Sequence, residues 1–133
     1  MTPPLAAVML WAGLLALLYL ALAVPIARAR MRERVPLGDG GNTRLRQAIR
    51  VHGNFGEYVP IALILMTLAA MAGWGALYLH ALGGTLFLAR IFHAVGLSCS
   101  ERESVGRFVG TLFTWIVIAA AAVLCLVPAL GLR

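Results

Sequence analysis

Apolar residues run in four long stretches, and the polar residues gather between them. Leu5 to Ile26 contains 22 residues without a charge, enough at about 1.5 Å per residue to cross a hydrocarbon core of roughly 30 Å. Three further stretches follow, over about residues 44–72, 76–96 and 104–127. The pattern predicts an all-α fold: a bundle of four transmembrane helices over 5–27, 44–72, 76–96 and 104–127, forming a single integral membrane domain.

Local signals refine these spans. Pro3 and Pro4 suit the first turn of the first helix, and Pro25 either kinks it or marks its exit from the membrane. The run from Leu5 is too long for a signal sequence and no basic segment precedes it, so the expectation is a retained span. Pro36 to Asn42 is loop, with three glycines, a proline and two Asx residues. Asn42 or Thr43 is placed to cap the second helix, and Gly73 to end it. The brief Gly73-Trp74-Gly75-Ala76 connection makes helices two and three an antiparallel hairpin, with Trp74 and Tyr78 at the interface belt.

Composition sharpens the class. Of 133 residues, 62% are hydrophobic and 12% charged, and the mean hydropathy of +0.91 lies outside the soluble globular range. The net charge of +6 comes from eleven arginines and no lysine. Ten of the eleven lie in Arg28 to Arg50 and Arg90 to Arg107, flanking the apolar runs, which is a topology signal and argues against nucleic acid as a partner. Both termini are therefore expected outside, periplasmic in a bacterium, with the arginine-rich connections in the cytoplasm. Arg28, Arg30, Arg32 and Arg34 read as anchors to membrane lipid headgroups, or as reaching an anionic ligand. Cys99 and Cys125 make neither a disulfide framework nor a metal cluster, and no His, Cys and carboxylate spacing fits a metal site.

One segment departs from the greasy pattern. Arg46, Arg50, Asn54 and Glu57 follow spacings of four, four and three and stack on one helix face, while His52 lies about 200° around from Arg50. Gly53 and Gly56 permit close approach, and Pro60 bends the helix above the cluster. Helix three brings Arg90 and His93 to the same inner half of the membrane. Two readings stand: an internal salt-bridge network joining Glu57 to Arg50 or Arg90, or a site for an anionic, peptide-like ligand, since the arginines outnumber Glu57.

Arg50-x-x-x-Asn54-x-x-Glu57-Tyr58-x-Pro60 in helix two, Ala89-Arg90-x-x-His93 in helix three and the four-helix layout resemble the membrane-associated proteins of eicosanoid and glutathione metabolism, the MAPEG family. The resemblance covers nearly the whole chain. It implies a homotrimer with glutathione as co-substrate, bound between neighbouring subunits near the cytoplasmic side. The contacts it implies fall on Arg50, Asn54, Glu57, Tyr58, Arg90 and His93, with Arg28 or Arg30 contributed from the end of helix one. An arginine near the start of helix four would stabilise the thiolate, for which Arg102 and Arg107 are the candidates. A tyrosine frequent one turn beyond His93 is replaced by Leu97. The implied activity is transferase or peroxidase chemistry on a hydrophobic electrophile entering from the bilayer; the alternative is a non-catalytic scaffold that binds lipid or thiol.

Overall fold

The computed structural model describes residues 1–99 and 104–132 and contains four helices: α1 (Pro3–Glu33), α2 (Thr43–Met71), α3 (Ala76–Cys99) and α4 (Val105–Ala129). All four are long and apolar enough to cross a membrane. The α2–α3 hairpin forms the middle of the bundle. Among the described residues α1 packs on α2 and α3, α4 packs on the same two helices, and α1 and α4 do not meet.

Helix ends follow the capping residues. Asn42 accepts the Leu45 amide at 3.0 Å, and Ser104 accepts the Arg107 amide while donating to the Gly96 carbonyl at 2.8 Å. In the α2–α3 connection Gly73 takes a φ of 86°, which glycine adopts without strain. Trp74 donates its indole N–H to the Leu124 carbonyl at 2.6 Å, pinning the hairpin to α4, and stacks edge-on against Tyr78.

α1 and α3 run beyond their expected ends, as α4 does by two residues. α1 continues through Pro25 to Glu33, because the residues after the proline, Ala27, Arg28, Ala29, Arg30, Met31, Arg32 and Glu33, are strong helix formers. It ends where Arg34 turns left-handed, with Val35 N–H donating to the Arg30 carbonyl at 3.1 Å. α3 passes Gly96, which acts as a packing residue and not as a stop. A Cβ there would lie 2.5 Å from the Arg107 amide nitrogen, and one at Gly110 would lie 2.5 Å from the Ala89 carbonyl oxygen. Helices α3 and α4 therefore touch almost backbone to backbone, which brings Arg107 beside the last turns of α3.

The core falls into two buried clusters along the bundle, with half-buried Leu63 and Leu82 packed against both. Ala7, Val8, Met66, Ala69, Leu79 and Ala121 fill the end near the chain termini, and Leu15, Phe55, Val59, Ala62, Leu86 and Val117 fill the middle. Such small and branched side chains suit helix contacts in lipid, where close packing replaces the hydrophobic drive. Beyond this middle layer, toward the arginine-rich connections, the buried residues include Arg90 and His93 beside the apolar Leu45, Val51 and Ala94.

Candidate functional site

The Arg90 guanidinium sits over the Phe55 ring, 5.6 Å from the centroid, a favourable place for a desolvated cation. Arg90 is only 1% exposed. One of its terminal nitrogens, Nη2, donates to Asn54 Oδ1 at 2.7 Å and lies 3.1 Å from His93 Nδ1. Its Nε and Nη1 are buried and have no hydrogen-bond partner among the described residues. A charged group inside a membrane span is costly, and one with idle donors more so.

Asn54 and His93 in turn line a polar cleft of about 280 Å³ with Arg50, Leu97, Arg107 and Thr111. Helices α2, α3 and α4 of a single chain supply all six. Arg50 is exposed and Arg107 half-buried, so their charges border the cleft instead of sealing it. Thr111, one turn after Arg107, donates its hydroxyl to the Arg107 carbonyl at 2.9 Å, which leaves its oxygen lone pairs toward other partners.

The expected site residues separate into groups. Arg50, Asn54, His93 and Arg107 meet in the cleft, while Arg90 stands behind two of them. Glu57 is exposed. The ion pairs among the described residues are Arg32 with Glu33 and Arg46 with Asp39, so the expected network joining Glu57 to Arg50 or Arg90 is not formed. Helical spacing places Glu57 on the stripe of Arg50 and Asn54, but it lies beyond the level at which that stripe meets the cleft. Tyr58 is half-buried and does not line the cleft.

On α1, Arg28 is exposed and Arg30 donates to the Val35 carbonyl at 3.2 Å, closing its own helix end. Neither borders the cleft within this chain. Arg102 lies outside the described residues. His52 stacks on Tyr19, with ring centroids 4.1 Å apart, consistent with its opposite face on α2. Thr111 was not anticipated, although its signal was available: a polar residue four positions after Arg107 shares its helix face. The described residues contain no cluster of metal-ligating side chains.

A second cleft is apolar. About 340 Å³ in volume, it lies between α1 and α2 and is lined by residues that include Leu15, Tyr19, Phe55, Val59 and Leu63. Phe55 is common to this cleft and to the Arg90 contact, so the apolar and polar regions adjoin through one side chain.

The loop between α1 and α2 is ordered by Asp39. Its carboxylate accepts from Arg46 and from the Gly41 amide, the latter at 2.9 Å. The Arg46 hydrogen bond, followed by the Gly41 amide, holds this carboxyl below the usual aspartate range.

Comparison with known proteins bears on the whole span. The MAPEG family model matches residues 8–127. An inner membrane protein of Escherichia coli strain K12, YecN, is 42% identical over 87 residues, which make up 65% of this chain and 66% of YecN. YecN of E. coli O6:H1 gives the same match. The aligned part thus spans just under two thirds of these relatives' length.

Proposed function

The chain belongs to the MAPEG family, and from that premise we propose that it is a membrane-bound, glutathione-dependent transferase or peroxidase acting on hydrophobic electrophiles. The observation that carries this reading is the convergence of Arg50, Asn54, His93 and Arg107 in one polar cleft within a protein whose buried residues are mostly apolar. Counting Arg90 and Glu57, that region holds three arginines and one carboxylate. Glutathione, with two carboxylates, one ammonium and an ionisable thiol, offers the missing negative charge. It also offers acceptors in the forked geometry that arginine recognises.

The roles follow from position. Arg50 and Arg107, at the cleft edges, hold carboxylates or the thiolate; Asn54 and His93 add hydrogen bonds from the wall. A guanidinium beside the sulfur lowers the thiol pKa and raises the fraction of nucleophile. The apolar cleft between α1 and α2 gives a bilayer-dissolved electrophile somewhere to lie. In a homotrimer, Arg28 or Arg30 of a neighbouring copy would complete the site, and Glu57 and Tyr58, outside the cleft of their own chain, would face the subunit boundary. The setting proposed is a bacterial inner membrane, termini periplasmic and the arginine-rich connections cytoplasmic.

One observation favours a second reading. Leu97 lines the cleft where family enzymes often carry tyrosine, and an apolar residue there suits a scaffold that binds thiol or lipid without activating it. Ultraviolet difference absorbance on adding glutathione separates the two. A thiolate band that disappears in Arg107→Ala supports the enzyme; saturable binding without a band supports the scaffold.

A further inference from the structure

Among the described residues Arg90 is the only buried side chain that carries a full charge, and it does not line the cleft. An apolar side chain of similar volume would fill the same space at lower cost in a membrane. What distinguishes arginine is its hydrogen bonding: it has five N–H donors and no acceptor, and it does not lose its proton in proteins.

That property dictates the state of both partners. The Asn54 atom 2.7 Å from Arg90 Nη2 has to be the amide oxygen, because an NH2 group there would face another donor. His93 Nδ1, 3.1 Å from the same nitrogen, has to be bare, which puts the imidazole proton on Nε2. Amide orientation and histidine tautomer, which a neutral partner would leave open, are both decided by a donor-only neighbour. The cation–π contact with Phe55 holds the guanidinium where it reaches both.

The geometry points to Arg90 as a positioning residue that sets the hydrogen-bond polarity of the cleft without touching its ligand. It turns the Asn54 NH2 group and the His93 Nε2–H toward duty as donors. Together with Arg50 and Arg107 they make a wall that offers N–H from α2, α3 and α4; the Thr111 oxygen, its own proton given to the Arg107 carbonyl, is the acceptor in that wall. Two consequences follow. The cleft selects a ligand rich in anionic acceptors, and His93 acts there as a hydrogen-bond donor and takes no proton from a bound thiol. This deepens the glutathione reading and rests on it for the ligand's identity alone.

The test needs no ligand. In protein carrying His52→Gln and His80→Gln, His93 is the remaining histidine, and 15N-histidine labelling reports its two ring nitrogens separately. The expected spectrum has an unprotonated Nδ1 and a protonated Nε2, and Arg90→Met in the same background shifts both resonances toward the average of exchanging tautomers. A protonated Nδ1 in the parent protein, or a spectrum unchanged by Arg90→Met in a variant that keeps its helix content, would overturn the assignment. If Arg90→Met does not fold, the parent spectrum decides alone. A failed glutathione titration would count against the proposed ligand and leave the tautomer result standing. Where glutathione does bind, each misdirected donor in Arg90→Met weakens affinity by about tenfold.

Discussion

Arg50 and Arg107 approach the cleft from α2 and α4, so a ligand carrying separated negative groups can engage both ends. Arg50→Ala removes a charge-assisted contact and is expected to raise the glutathione Kd by about 10- to 100-fold, read by titration of the purified protein. Asp39 gives a prediction independent of the ligand. Its carboxyl is held below the usual aspartate pKa, with the Arg46 hydrogen bond the main cause, so the loop contact is fully present above the unfolded aspartate pKa and is lost as pH falls through the lower folded value. The protection of the Gly41 amide, its exchange rate taken relative to the intrinsic rate at the same pH, should therefore persist at pH 6 and be lost only in strong acid; Asp39→Asn should lower that protection at pH 6. Much of the cleft was legible at this scale, because spacings of four place Arg50 and Asn54 on one stripe. Glu57 shows the limit: spacing sets a shared face, while the position of the neighbouring helix decides which members of the face meet.

Glycines decide how the helices meet. Gly96 and Gly110 let α4 lie on the backbone of α3, and a Cβ at Gly110 would lie 2.6 Å from both the Cβ and the backbone nitrogen of His93. Gly110→Ala is expected to push α4 outward, destabilise the bundle by about 1–3 kcal/mol and weaken glutathione binding, as thermal unfolding in detergent and titration would show. The four spans were readable from apolar run length alone. Their ends were harder. Gly96 has the chemistry of a helix stop, and only the approach of α4 reveals why the helix continues past it. Pro25 reads as a kink or as the exit from the membrane, and the alanines and arginines after it favour helix strongly enough to carry α1 to Glu33. At about 1.5 Å per residue its 31 residues span roughly 46 Å, against a hydrocarbon core of roughly 30 Å, so α1 tilts or projects beyond the membrane.

For the molecule as a whole, α2, α3 and α4 of one chain supply the described lining of the cleft, and the proposed trimer would add Arg28 or Arg30 of a neighbouring copy. Native mass spectrometry from detergent is expected to show a trimer. In a background lacking Cys99 and Cys125, a cysteine at Gly38 should be labelled from the cytoplasm and one at Thr2 from the periplasm; the reverse pattern would invert the orientation. Arginine placement between the apolar runs is the ground for the proposed orientation, whereas assembly depends on surfaces that no spacing rule describes. The central claim, that the Arg50, Asn54, His93 and Arg107 cleft binds glutathione, is tested most directly by calorimetric titration of glutathione into purified protein, with Arg50→Ala alongside. Saturable binding that is lost or much weakened in the variant is the predicted result. No binding to the parent protein, or equal binding to both, would contradict it.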